Sequence, residues 1–459
     1  MEYRNLYVQY MYSYPHKTAY RPLEGVDLKD YSDRLAGPGH GLYFHIPFCQ
    51  SKCGYCNLFS VTGMDNQVME KYLEAVGRQI CQYREILAEE GTVFSDFTIG
   101  GGTPLLLEER FLEKMFDMTD QYLEFDRDRQ VIIETAPNQT TREKLGLLKA
   151  RGVTRVSMGI QSFQEQELKV LGRGHDGRKA RKALELLKAF EFSAVNVDFI
   201  YGIPGQTTES LLRTLKEAVT FQTEEIFLYP LYVKHGVSLE REGMVLDQRQ
   251  AYGQYKEAAG YLKSEGYCQD SMRRFVRRTG REKKEQDGKD RSREFSDCGF
   301  TASLALGCGG RSYVGNLHFC TPYAITRESC LKELRDFMGK RDHTEITHGI
   351  FLSKEEEKRR YVIRHILIRP GLDQVRYTQK FGADVRIDFP LLSQWMDQGF
   401  LEERVLTDAR YLVLTEEGMG LSDCLGPGLI SPEIQKKMEE WDDAHQKDHG
   451  SLQGQFKKL

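Results

Sequence analysis

Leu42-Tyr43-Phe44-His45-Ile46-Pro47-Phe48-Cys49-Gln50-Ser51-Lys52-Cys53-Gly54-Tyr55-Cys56-Asn57 runs from an apolar strand pattern into a loop with three cysteines. Their spacing is C-x3-C-x2-C. Three thiolates on one tight loop can hold three irons of a [4Fe–4S] cube and leave the fourth iron without a protein ligand. That open iron is a coordination site, so a cluster of this kind suits chemistry on a bound molecule as well as electron carriage. A zinc knuckle asks instead for C-x2-C with a matching Cys or His pair further along. No such pair stands at standard spacing, and His45 is the nearest alternative fourth ligand.

The rest of the composition sets bounds. A chain of 459 residues suggests two or three domains, and 40% hydrophobic residues suffice for a large core. With 64 basic and 68 acidic residues, net charge −4, no global basic field argues for nucleic acid. Mean hydropathy is −0.53, and no apolar run approaches the roughly 18 residues of a membrane span. The first residues lack the apolar core of a signal peptide. A soluble cytoplasmic protein is expected. Ten cysteines are too few for a disulfide scaffold. Cys81, Cys268, Cys298, Cys308, Cys320, Cys330 and Cys424 read as ordinary thiols, and no gap among Cys298, Cys308, Cys320 and Cys330 matches a ligand knuckle.

Outward from the cysteine loop, short apolar runs alternate with helical patterns. Strands are expected at 42–46, 96–100, 131–135, 154–159, 195–201 and 226–231, with helices such as 66–89 and 177–190 between them. Strand–helix alternation implies parallel strands with crossover helices, here a partial (β/α)6-type barrel. Chemistry-bearing residues fall at strand ends, where barrels of parallel strands keep their active sites. Four further segments flank or interrupt this α/β unit at 41–330. Residues 1–40 read as an aromatic arm, 273–294 as a charged insertion with ten basic and five acidic residues, 350–425 as a small winged-helix-like domain, and 432–459 as a polar tail. Residues 303–316 read as a strand followed by a glycine-rich loop.

The cysteine spacing, with Tyr55 before the third cysteine, is similar to the signature of radical S-adenosylmethionine enzymes. Tyr43-x-His45-Ile46-Pro47-Phe48-Cys49 more specifically resembles the oxygen-independent coproporphyrinogen III oxidase superfamily, which includes heme chaperones and porphyrin- or heme-modifying methyltransferases. The resemblance covers residues 40–425 motif by motif. It implies that Cys49, Cys53 and Cys56 bind a [4Fe–4S] cluster whose open iron chelates S-adenosylmethionine. It implies cofactor contacts from Tyr43, Tyr55, Gly101, Gly102, Thr103, Glu134, Gln161, Arg173 and Asp198. Gly101-Gly102-Thr103-Pro104 matches the motif that approaches the methionine amino group, and Glu134 the acidic ligand. Arg173 suits a carboxylate through its planar fork, and Asp198 the ribose hydroxyls. Some members hold a second S-adenosylmethionine, and these residues can divide between one molecule and two. No catalytic residue is assigned.

What the resemblance implies is reductive cleavage of S-adenosylmethionine to a 5′-deoxyadenosyl radical, with a flavodoxin or ferredoxin as electron donor and a small-molecule substrate, tetrapyrrole-like in its class. Leu58 stands where coproporphyrinogen oxidases carry a fourth cysteine, which points away from coproporphyrinogen decarboxylation. Two other functions use the same fold. One is a heme or tetrapyrrole chaperone with an axial ligand among His16, His40, His45, His175, His235 and His318. The other is a methyltransferase that consumes two S-adenosylmethionines.

Overall fold

The computed structural model describes residues 6–11, 13–233, 237–241, 243–277, 303–406 and 409–455. Six strands alternate with helices along its first half. They are β1 (Pro38–Ile46), β2 (Val93–Gly101), β3 (Phe125–Thr135), β4 (Arg155–Gln161), β5 (Ala194–Tyr201) and β6 (Glu225–Pro230). Between them run α1 (Asn66–Glu89), α2 (Glu109–Tyr122), α3 (Arg142–Ala150), α4 (Glu165–Val170), α5 (Gly177–Lys188) and α6 (Thr208–Thr220). Helix starts are written locally. Asp65 accepts from the Val68 amide at the head of α1, and Thr207 and Ser210 form a capping box on α6.

The six strands pair in order and in parallel, β1 to β6. Antiparallel β7 (Tyr267–Gln269) and β8 (Arg274–Arg277) extend the β6 edge. On the other side β9 (Ser303–Leu306) lies parallel to β1, followed by antiparallel β10 (Arg311–Val314), β11 (Leu317–Cys320) and β12 (His348–Phe351). The sheet stays open among the described residues, as a partial barrel does.

Its two faces differ sharply. Phe44, Ile99, Ile133, Val156 and Val195 sit in one register row on the outer face and belong to the hydrophobic core. The alternate residues face inward. One inner row reads Glu134, Ser157, Asn196, Glu225 across β3 to β6. Parallel sheets covered on both faces are normally apolar on both, so a polar concave face marks where the chemistry is. Glu225 there pairs with both Arg155 and Arg274, and Arg274 also reaches Asp270 at 3.5 Å. Glu225→Ala leaves two guanidinium groups facing each other across a desolvated gap. The expected cost is about 3 kcal/mol, read as a lower urea midpoint, with Glu225→Gln losing less.

Two stretches differ from a plain reading of their composition. The charged stretch at 273–294 begins inside the sheet, because β8 carries Arg274 to Glu225 and Arg273 pairs with Asp423 in a buried contact shared with Tyr232. Residues 278–294 lie outside the described residues, as do Cys298 and His235. After the β9 strand the glycine-rich segment turns at Gly307–Gly310 and returns as β10, where a loop was expected.

The tyrosines of the N-terminal segment are packed inward. Tyr14 and Tyr20 are buried, Tyr7 meets Tyr201, and Tyr10 meets Tyr229 edge-on at 6.1 Å. The segment therefore crosses the C-terminal strand ends. Helices Lys354–Ile366, Gln374–Phe381 and Pro390–Asp397 pack with a small sheet in the order Leu372–Asp373, Ala409–Leu414, Leu401–Leu406, whose first strand lies between the first two helices, a winged-helix-like arrangement. No helix among the described residues is long and apolar enough to cross a membrane.

Candidate functional site

The cysteine loop leaves β1 at its C-terminal end. Phe48–Cys49 pairs in parallel with Val61–Thr62 and closes the loop at its base. The Gly54 amide donates to the Leu171 carbonyl at 3.0 Å, which ties the loop tip to the turn before Arg173. Arg173 Nη1 then donates to Cys53 Sγ at 3.1 Å, and its Nη2 to the Gly159 carbonyl at 2.6 Å. Tyr55 packs on the small cluster of Leu171, Ile200, Ile203, Leu231 and Leu239.

The turn after β2 lies against the start of this loop. The Gly102 amide donates to the Ile46 carbonyl at 2.7 Å and the Thr103 amide to the Phe48 carbonyl at 2.8 Å. Thr103 Oγ1 stands 3.6 Å from Cys49 Sγ. Gly101 holds φ +116°, and a Cβ there would stand 2.6 Å from the His45 ring. At Gly102 a Cβ would stand 2.6 Å from the Phe48 carbonyl oxygen and 3.0 Å from Cys49 Sγ. Only glycine satisfies both positions. His45 is wedged between the Tyr43 hydroxyl at 3.3 Å and the Phe59 carbonyl at 3.0 Å. Burial, and then Lys17, push it down to about 3, so the ring is neutral.

Two carboxylates complete the strand-end ring. Glu134 accepts from the Gly101 amide at 3.0 Å. Asp198 accepts from Asn196 Nδ2 at 2.8 Å, which also donates to Ser157 Oγ at 2.6 Å. Burial raises Glu134 to about 7 and Asp198 to about 6. Neither forms an ion pair among the described residues, although both keep part of their surface open to solvent. Gln161 is 8% exposed and sits at φ 73°, a left-handed conformation that costs a branched or ordinary side chain about 1–2 kcal/mol.

Thus one sheet end brings together the cysteine loop, Tyr43, the Gly101–Thr103 turn, Glu134 and Arg173, with Asp198 and Gln161 on the neighbouring strands. Sequence reasoning missed His45 as a wedge and Asn196 as the group that orients Asp198. The period-2 pattern Asn196-x-Asp198 carries the signal for the second. The other histidines are engaged locally: His40 with the Ala36 carbonyl, His175 with the Ile160 carbonyl, His16 with Thr18, and His318 edge-on against Tyr313.

The residues fit a cluster and a cationic cofactor. Burial pushes the Cys56 thiol up to about 12 and the Cys49 thiol upward, so their thiolates call for a metal cation. Among the described residues no three His, Cys, Asp or Glu side chains converge as ligands of a single ion would. A cube places each thiolate on a different iron, so its ligands need not meet at one point. Two half-buried carboxylates beside a glycine cradle suit a ligand that carries ammonium and sulfonium charge.

An open α/β sheet with a three-cysteine loop at its strand ends defines a class, and residues 43–218 match the Radical SAM superfamily. This stretch is a radical SAM domain. Within that class the chain is similar to two kinds of protein. It is 34% identical over 210 residues to the heme chaperone HemW of Mycobacterium tuberculosis, covering 45% of this chain and 53% of that one, so the match spans about half of that relative's length. It is 26% identical to the Bacillus subtilis heme chaperone HemW, over 78% of this chain and 92% of the relative. It is 25% identical to the oxygen-independent coproporphyrinogen III oxidase of Escherichia coli, over 76% and 78%. The solved structure of the Escherichia coli coproporphyrinogen III oxidase HemN superposes with a TM-score of 0.78 at 22% identity, covering 92% of this chain and 96% of that chain. At that identity the likeness shows the fold.

Proposed function

We propose that the chain is a radical S-adenosylmethionine enzyme. Cys49, Cys53 and Cys56 would hold a [4Fe–4S] cluster, and Glu134, Asp198 and the Gly101–Thr103 turn would seat S-adenosylmethionine. The observation that carries this reading is the meeting, at one sheet end, of three cysteines, a turn with no room for a Cβ, and two half-buried carboxylates that form no ion pair among the described residues. When bound, the cluster supplies the electron that cleaves S-adenosylmethionine to a 5′-deoxyadenosyl radical. Everything else falls to the chain. Gly101 and Gly102 let the backbone approach the ligand closely. Glu134 and Asp198 offset its positive charge, Arg173 steadies the Cys53 sulfur, and the Tyr7–Tyr20 segment keeps water from the strand ends.

The substrate is a small molecule of tetrapyrrole class, held on the concave face under Tyr10 and Tyr229. The electron donor is a flavodoxin or ferredoxin. Anaerobic reconstitution with iron and sulfide, then dithionite and S-adenosylmethionine, is expected to yield 5′-deoxyadenosine. A protein that takes up zinc but no iron, or a loaded cluster with no cleavage, would sink the reading.

The names of the Mycobacterium and Bacillus relatives favour a second reading, a heme-binding protein on the same fold. Heme titration separates the two. Tight one-to-one binding without 5′-deoxyadenosine formation supports the chaperone. Release of S-adenosylhomocysteine would instead indicate methyl transfer.

A further inference from the structure

Arg173 reaches the cysteine loop from the turn after α4, and backbone contacts fix where it starts. Its amide donates to the Leu168 carbonyl at 2.9 Å, and the Gly54 amide donates to the Leu171 carbonyl at 3.0 Å. Gly172, at φ +66°, lets the two segments meet, since a Cβ there would stand 3.4 Å from the Gly54 amide nitrogen. The loop tip and the root of the Arg173 side chain are therefore held as one piece.

The guanidinium is turned to the loop and to the sheet. Nη1 donates to Cys53 Sγ at 3.1 Å and Nη2 to the Gly159 carbonyl at 2.6 Å. Gly159 leaves room for it, because even a Cβ on that strand residue would stand 3.8 Å from Nη2. Nε is buried with no hydrogen-bond partner, a cost that an arginine facing solvent would not carry. Asp198 feels the charge of Arg173, but its carboxylate accepts from Asn196. Cys49 Sγ has a longer, neutral contact, with Thr103 Oγ1 at 3.6 Å. Of these two contacts to sulfur, the one from Arg173 is shorter and carries a full positive charge, so it is the stronger.

We propose that Arg173 sets the reduction potential of the cluster by donating a hydrogen bond to the Cys53 sulfur. The proposal rests on the reading of Cys49, Cys53 and Cys56 as cluster ligands, and it goes further by naming what makes that cluster reducible. Reduction adds one electron to a centre whose ligand sulfurs are already negative. A donated hydrogen bond and a fixed positive charge at one of those sulfurs stabilise the electron-rich state more than the oxidised one, and so raise the potential. Arginine suits the task because its charge does not titrate. Arg173 is in this sense a positioning residue, acting through Cys53.

The test is an anaerobic redox titration of reconstituted protein without S-adenosylmethionine, followed by the electron paramagnetic resonance signal of the reduced cluster. Arg173→Gln is expected to lower the midpoint by at least about 59 mV, a tenfold loss in the one-electron equilibrium, at wild-type iron and sulfide content. Dithionite then reduces a smaller fraction of the cluster than in the wild-type protein, and titanium(III) citrate, a stronger reductant, restores it. Arg173→Lys keeps the charge and loses the planar fork, so its midpoint should fall between the two. Lys52→Gln also removes a positive charge next to Cys53 in the chain. Lys52 Nζ is engaged by the Ile325 carbonyl at 2.7 Å, however, and this midpoint should fall less than that of Arg173→Gln. An unchanged midpoint in both Arg173 variants overturns the proposal, whatever becomes of S-adenosylmethionine affinity. An equal drop in Lys52→Gln also overturns it, because the effect then belongs to loop charge and not to the Cys53 contact. A lowered midpoint in Arg173→Gln, in a protein whose wild type never releases 5′-deoxyadenosine, upholds the tuning and refutes the enzyme reading instead.

Discussion

Cys49→Ala, Cys53→Ala and Cys56→Ala are each expected to abolish cluster uptake and, with it, all S-adenosylmethionine cleavage. The loop offers one thiolate per iron and has no spare sulfur, since position 58 is leucine, half exposed. Removing one thiolate leaves two irons without protein ligands, and such a cube is open to solvent and oxygen. Three of the other cysteines are poorly placed to substitute. Cys308, Cys320 and Cys330 are buried in the β9–β11 region and beyond, and burial pushes each thiol up. Cys308→Ala, Cys320→Ala and Cys330→Ala should therefore retain iron, sulfide and 5′-deoxyadenosine formation at near wild-type levels. The measurements are iron and sulfide content, visible absorbance after anaerobic reconstitution, and product chromatography. Cleavage at wild-type level in any of the first three variants would refute the assignment. So would an equal loss of cluster in Cys330→Ala. Because metal binding couples to local folding, the free loop should also become more susceptible to protease in the first three variants and not in the second set.

The strand order and the location of the site were legible because the sequence repeats one unit. Runs such as Val131–Thr135 and Val195–Tyr201 are rich in β-branched and aromatic residues, and each is followed by a capped amphipathic helix. The motif residues fall at the ends of those runs, so strand ends and site coincide. Less legible were the short antiparallel strands β7, β8 and β10–β12. Three or four residues give no period, and Arg274 or Arg311 on a strand looks like a solvated charge. Their partners, Glu225 for Arg274 and Ser13 for Arg311, lie 49 and 298 residues away. The inward packing of Tyr7, Tyr10 and Tyr14 is likewise set by Tyr201, Tyr229 and Glu356, which no local pattern announces.

Glu134→Gln is expected to stabilise the free protein while it greatly weakens S-adenosylmethionine binding. Burial holds the Glu134 carboxyl near 7, against an ordinary 4.5. The folded state therefore binds this proton more tightly than the unfolded chain. Stability declines as pH rises between those two values, and the full penalty is present above 7. At a pH of about 8 that penalty is at most about 3 kcal/mol, and less after allowance for the partly open carboxyl. The amide of glutamine carries no such cost and can still accept from the Gly101 amide. The ligand reverses the balance, because ammonium and sulfonium charge stabilise the carboxylate. Affinity for S-adenosylmethionine should thus rise with pH by roughly tenfold per unit below about 7, then level off. Asp198, held near 6 by burial, adds a second step at lower pH. Equilibrium dialysis of reconstituted protein between about pH 5.5 and 8 reads both steps. In Glu134→Gln the upper step vanishes and only the Asp198 step survives, at greatly weakened affinity. A pH-independent affinity in the wild-type protein, or an unchanged profile in Glu134→Gln, would show that the cation rests elsewhere on the concave face.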